Sequence, residues 1–532
     1  MLVAAGKNTP VTRPLTFCAA LCVALLSTSA ARAQTDLYVG SNTPANTLDL
    51  TNGTNAYANT YVGFTVEASN NALGVYNAGT LLTNTSELFV GNRGSGNTMT
   101  VADGAVVAAV ISYMSYWAVS SNNSVLVTGT NSMWQNSSAL LVGYSGNGNR
   151  LVISNGGAAL NAIGSVGYFG SNNIVEVTGA GSLWTNTGDL QLGYETNANG
   201  NQLVVSNGGT VAANRLWVGY WRGSLSNSLV VTGTNSLLQA SNVVVGRAGA
   251  GNQLVVSDGG TLASAQYGNL GQLFSSSNNV ALVTGAGSLW TNALDLAIGG
   301  QGSGNRLTVS NAGTVANAAG VVGSSSVGNG NEVVVTGTNS FWTNSADLTI
   351  GNSGSSNSLF ISNGGEVAVG TNLVISASAG ASNNSVSISG GSLTVTNGQI
   401  DIGKAGSGTL NVTGGTVTVQ ELLATNGPDS VITFNGGTII SGGTTVSNGS
   451  DFKIGDTGSD ATFIANGGTH RFSTNRIIIG FSGSSNRLVI SNGGSAISDL
   501  FSVIGYASSA SNNSVLVTDG GTWTNSGELA VG

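Results

Sequence analysis

Charged side chains are scarce in this sequence. They make up 7% of its 532 residues, against about 25% in ordinary globular domains, so something other than a charged surface must keep the chain in solution. Proline is nearly missing, at 4 residues, while glycine reaches 81. There is a single histidine, His470, and the two cysteines, Cys18 and Cys22, both lie near the N-terminus. With no serine elbow, no HExxH run and no cysteine nucleophile, the common catalytic triads and zinc sites are excluded. His470, beside Arg471, reads as an ordinary strand residue. The phosphate-loop pattern does not occur, and the many Gly-x-Gly matches follow from glycine abundance alone. No catalytic residue, cofactor or metal site is implied.

What is present is Asn, Ser, Thr and Gly, together with regularly spaced Val, Leu and Ile. The polar set suits strands and turns and leaves little for amphipathic helices. The apolar set gives the chain enough surface to bury, which sets it apart from a disordered chain.

The first 33 residues differ from the rest. Lys7 and Arg13 form a positive start, Leu15 to Leu26 a short apolar core, and Ala31-Arg32-Ala33 a small-x-small cleavage site before Gln34. This is the pattern of a signal peptide, and its apolar run is too short to span a bilayer as a helix. Its removal takes away both cysteines, so the mature chain is expected to have no thiol or disulfide. It also leaves 11 basic residues against 22 acidic ones, a net charge of −11. That balance argues against nucleic acid as a partner.

Internal repetition organises residues 34–532 as a single domain. A glycine closing a Leu-x-Val-Gly-like run recurs at Gly91, Gly143, Gly193, Gly246, Gly299, Gly351, Gly403 and Gly455, then at Gly480 and Gly532; the steps are 50 to 53 residues, except for one of 25. A second such glycine falls near the middle of most steps, as at Gly167, Gly219 and Gly323. The unit is therefore about 25 residues, and two alternating versions make the 52-residue period. Each unit holds three short β-prone runs with one apolar face, separated by turns. Wound with tight corners, such units form one coil of a parallel β-helix, and about 19 coils at ~4.8 Å make a rod of roughly 90 Å. The rival reading uses Asn-Gly as a hairpin turn and the 52-residue period as a propeller blade. Similarity at the half-period counts against it.

Three columns recur at fixed register. The residue before the Gly-Gly corner is Asn155, Asn207, Asn363, Asn466 or Asn492, with Asp103 and Asp258 as variants. Asn tolerates the left-handed region, and stacked amides can bond one another, so this column reads as structural. Before the Leu-x-Val-Gly run stand Glu87, Asp189, Asp295, Asp347, Asp451 and Glu528, at least two coils apart, or roughly 9.6 Å. That is wide for a retaining glycosidase pair and at the far edge of an inverting one. Solvated turn residues are the expected role, with a weak cation-binding stripe as the alternative.

The third column holds Trp134, Trp184, Trp290, Trp342 and Trp523, with Leu238 filling a gap. Aligning Ser182-Leu183-Trp184 with Thr210-Val211-Ala212 places Leu183 and Val211 in the core and the tryptophans outside. There each indole either lies across a small neighbour, such as Ala212, Ala263, Ala316 or Ala368, or stacks on sugars and partner surfaces.

The pattern from Leu296 to Val315, Leu-x-Val-Gly-like and then Gly-Asn-x-Leu-x-Val-Ser-Asn-x-Gly-Thr-Val, resembles the repeat of autotransporter passengers and PEP-CTERM-associated exoproteins. The resemblance covers nearly all of 37–532. It implies a right-handed parallel β-helix at or beyond the outer membrane, exported through an outer-membrane translocator not present in this chain. The sequence departs from both families, because it stops at Gly532 in repeat register, with no C-terminal barrel strands and no apolar sorting tail. The functional expectation is a secreted or cell-surface structural or adhesive repeat protein that meets host or neighbouring cell surfaces. Behind it stands a glycan-binding module that uses the tryptophan stripe, and last a polysaccharide lyase or hydrolase.

Overall fold

The computed structural model describes residues 35–532, and the expected signal peptide lies outside the described residues. The described chain is all β, with parallel strands stacked into a solenoid of about 19 coils. A typical coil has runs at Arg150–Ser154, Ala158–Asn161 and Ile163–Val166, and the next has runs at Ile174–Thr178, Leu183–Asn186 and Asp189–Leu192. The pairing is in register: Leu151 lies beside Val175, which in turn lies beside Leu203. Since every second side chain points inward, Leu151 and Ile153 of one coil meet Val175 and Val177 of the next, all fully buried. Each coil covers its neighbour's apolar edge, and one core runs the length of the rod.

The corners follow the turn chemistry. Asn155, Asn207, Asp258, Asn363 and Asn492 have φ of 50°, 51°, 52°, 50° and 51°, each just before a corner glycine. Their side chains do not form the expected amide ladder. Asn155, Asn207 and Asn363 instead donate to the hydroxyls of Thr128, Thr178 and Thr336 one coil earlier, at 3.0–3.1 Å, and only Asn492 meets another amide, that of Asn466. The reason is the alternation of the two unit types. The second type puts glycine, such as Gly129 or Gly179, where the first has Asn, so no amide lies directly above or below.

The ladder runs in a different column, at the residue just before the first run of each coil. From Asn46 to Asn384 the side-chain amide of each asparagine donates to Oδ1 of the next; examples are Asn173 to Asn201 at 3.0 Å and Asn305 to Asn331 at 3.0 Å. The backbone N–H of the donor residue bonds the same oxygen, as from Asn201 to Asn227 at 2.9 Å. Burial without these partners would cost about 1–3 kcal/mol per group. The ladder also explains the repeat glycine. Gly143 has φ 72°, and a Cβ there would lie 2.2 Å from Nδ2 of Asn173; at Gly299 the corresponding distance to Asn331 is 2.1 Å. Both the left-handed backbone and the close approach of the ladder demand glycine.

Residues 384–446 differ from the rest. Here runs merge into long bent strands, Asn384–Ile402 and Gly408–Ala424, and Gly408 and Ser430 stand where the ladder asparagine would be. Beyond them, Gly455 N–H bonds Phe434 O, which places Phe452–Ile454 on the face of the first runs. The run Ala461–Asn466 pairs with Gly437–Ser441, on the face of the second runs.

Candidate binding surface

The structure overturns the expected outward tryptophan stripe. Trp134, Trp184, Trp290 and Trp342 are fully buried, and Trp523 is half-buried against the core. The cause is a register slip of one residue. Trp184 pairs with Val211 and Leu183 with Thr210, so Leu183 points out and Trp184 points in. In a period-2 structure a one-residue shift exchanges the two faces.

Burial of the indoles accounts for the 52-residue period. One coil before each tryptophan, the first inward residue of the third run is small: Ser112 before Trp134, Gly164 before Trp184, Gly268 before Trp290, Gly320 before Trp342 and Ser502 before Trp523. A Cβ on Gly164 would sit 2.8 Å from Cζ2 of Trp184, and one on Gly320 would sit 3.0 Å from Cζ2 of Trp342. Coils not followed by a tryptophan carry Leu140, Leu190, Leu296 or Leu348 at that position, and Leu238, which fills the gap in the column, follows a coil with Leu216. Three of the buried indole N–H groups find acceptors in the preceding coil, Trp134 on Ser112 Oγ at 3.2 Å, Trp184 on Asn161 Oδ1 at 2.9 Å and Trp342 on Asn317 Oδ1 at 2.8 Å, while that of Trp290 has none.

The acidic column fixes corners. Asp189 takes Arg215 Nε at 2.8 Å and Trp217 Nε1 at 3.3 Å, and Asp451 pairs with Arg476. Burial pushes the Asp347 carboxyl up, but hydrogen bonds from Thr371 and Asn372 outweigh this and hold it below its ordinary value. Asp295 and Glu528 contribute backbone carbonyls to Gly268 and Ser502. Glu87 lies beside Tyr113 and opposes ionisation of its phenol. No two of these carboxylates share a coil or adjacent coils. His470 faces the core, with Nδ1 2.9 Å from Thr444 Oγ1 and Nε2 2.7 Å from Gly467 O. Burial holds its pKa below the ordinary value, although the bond to Gly467 works the other way.

A different set of aromatic side chains faces outward. Along the third runs, Tyr38, Tyr61, Phe89 and Tyr113 stack with centroids 4.8–5.2 Å apart. The stack passes to the residues that follow the repeat-glycine position, which is Ser115 before Tyr116 and glycine before the others. Tyr116, Tyr144, Tyr168, Tyr194 and Tyr220 continue it at 4.7–5.4 Å. Within this double row burial lifts the Tyr113 phenol to about 12, with Glu87, Tyr116 and Tyr144 adding to the shift. Standing at 70–84° to the tyrosines are Trp117, Phe169 and Trp221, respectively 48%, 45% and 42% exposed. The sequence carried a signal for this surface, since an aromatic directly follows Gly143, Gly167, Gly193 and Gly219.

No known family matches the chain, and no curated protein does. Among solved structures it is similar to the crystal structure of a TibC-catalysed, hyper-glycosylated TibA fragment spanning residues 55–350. That match has 13% identity and a TM-score of 0.30, and it covers 85% of this chain and 100% of the fragment. A likeness this slight says nothing of ligand or role.

Proposed function

We propose that the chain is a secreted or cell-surface structural and adhesive rod of passenger type, without enzymatic activity. The observation that carries this reading is the outward aromatic surface on an unbroken solenoid. The stacked rings run from Tyr38 to Tyr220 across eight coils, on a rod of roughly 90 Å at ~4.8 Å per coil. Phe89 is buried within the stack and most of its tyrosines are half-buried, so the open aromatic surface is carried by Tyr38, Trp117, Phe169 and Trp221, and exposed aromatic surface of this kind marks a site of contact. The carboxylates of the acidic column, by contrast, stand two or more coils apart, and those of Asp189, Asp347 and Asp451 are taken up by neighbouring side chains, which suits a scaffold better than a hydrolytic centre.

Display of residues 34–532 on a non-adherent bacterial host tests this. Clumping of the cells, or their retention on epithelial or bacterial lawns, is the expected result. Release of reducing ends from a polysaccharide panel by the purified chain would overturn the reading.

A further inference from the structure

The double row of rings is a poor platform for sugars along its middle, because each stacked face is covered by the next ring. Trp117, Phe169 and Trp221 are different: they lie outside the stack, edge-on to the tyrosines, and nearly half of each is open. They occur on every second coil, so they repeat at about 9.6 Å along the rod, close to the two-sugar repeat of an extended 1,4-linked polysaccharide. Beyond Trp221 the line continues into an open groove of about 770 Å³, bounded by Arg222, Leu225 and Phe274.

The charge at this row is unlike that of the chain as a whole. Arg93 lies over the Trp117 ring at 5.1 Å, while Arg247 lies over Tyr220 at 4.3 Å and Trp221 at 5.6 Å. Among the described residues, Arg93, Arg222 and Arg247 have no carboxylate partner, whereas Arg150, Arg215, Arg306, Arg471 and Arg476 each do. Glu195 is the single carboxylate on the loops from Trp117 to Trp221. On a chain whose residues 34–532 carry a net charge of −11, these guanidinium groups mark the two ends of the row of open rings, Arg93 at Trp117 and Arg222 with Arg247 at Trp221.

We infer that this ridge binds an acidic, extended 1,4-linked polysaccharide laid along the rod axis. Alternate sugars rest on Trp117, Phe169 and Trp221, and carboxylates at the two ends of the bound stretch are met by Arg93 and by Arg222 with Arg247. The inference depends on the surface-rod reading only for where the polymer is encountered; binding itself is a property of the purified chain.

The test uses residues 34–532 and affinity electrophoresis in poly-β-1,4-mannuronate, with β-1,4-mannan as the uncharged polymer of the same linkage. Retardation by polymannuronate that weakens with added salt is expected. The variant Trp117→Ala/Phe169→Ala/Trp221→Ala should lose about tenfold or more in affinity, with far-ultraviolet circular dichroism unchanged. The variant Arg93→Gln/Arg222→Gln/Arg247→Gln should lose affinity for polymannuronate alone. No retardation of the parent chain, equal retardation by mannan, or parental binding by either triple variant would overturn the inference. If cells displaying the chain still adhere in that case, the ridge fails and the adhesive rod stands.

Discussion

The pentapeptide Arg-Leu-Val-Ile-Ser occurs at 150–154 and again at 487–491, and the two copies lie on different faces of the solenoid. The first pairs with Ser124–Thr128 in the face of first runs. The second pairs with Thr462–Asn466, which stacks on the second-run segment Gly437–Ser441. Between the two blocks the coils shorten, the asparagine ladder stops at Asn384, and the motif resumes one face further round. A new amide pair, Asn486 to Asn513, then forms at the shifted corner. The comparison teaches that the repeat specifies how a coil stacks on its neighbour but not which face it occupies. Backbone pairing and the continuing apolar core carry the stack across the junction, since strands remain hydrogen-bonded and Leu393, Leu410 and Ile439 remain buried through Asn384–Ile402, Gly408–Ala424 and Ser430–Ser441 without the ladder.

The largest effect expected within the N-terminal block comes from Trp184→Ala. It empties a buried indole site and should cost about 3–5 kcal/mol, read as lost hydrogen-exchange protection in the coils from Gly143 to Gly219. The N- and C-terminal blocks should respond separately, because repeat stability is set by nearest neighbours; equal loss of protection around Leu488 would refute their independence.

Next in size is the repeat glycine. Gly299→Val places a side chain at φ 73° and against Asn331, for about 3 kcal/mol from backbone strain and overpacking together. Gly53, at φ 65° with nothing near its Cβ position, is the control. Gly53→Ala should cost only about 1 kcal/mol, and a similar loss at both sites would show that the ladder contact is unimportant.

Breaking the ladder itself, by Asn227→Ala, leaves the buried backbone N–H of Asn201 without its acceptor and its amide with Gly170 O alone, and should cost about 2 kcal/mol. Chemical denaturation of this variant beside Asn513→Ala, at the shifted corner, sharpens the contrast. The second should lose less, because its ladder is one step long and half-buried.

The smallest effect is acid sensitivity confined to the C-terminal block, which holds the chain's one histidine. Burial lowers the pKa of His470 in the folded chain, so below about pH 6.5 the unfolded chain binds more protons. The stabilising contribution is complete above that pH and is lost as pH falls through the folded value. Melts followed from pH 7.5 to 5 should show this slope, and His470→Gln should abolish it. A slope that survives the substitution would assign the acid sensitivity to carboxylates instead.

Much of the architecture was legible from spacing. Asn155 and Asn207 marked the corners, the alternation of Val, Leu and Ile marked strands with one buried face, and the glycine period gave the coil length. The binding surface was not legible in the same way. Tryptophan at a fixed register invited an outward reading, and one residue of misalignment between the two unit types put Trp184 on the wrong side. The pairing of Trp184 with Val211, and not Ala212 with Trp184, is a long-range contact that neither unit reveals alone.

The sequence by itself determined the parallel coil, its length and its corners, because alternation of apolar residues and the demand for φ > 0 are local properties. The tertiary structure decided which rings are core and which are surface. It also decided that Asn173 and Asn201 form a ladder while Asn155 and Asn207 do not, and that the second Arg-Leu-Val-Ile-Ser lies on another face. Each of these depends on what stacks directly above and below, and that is fixed only when the coils close on one another.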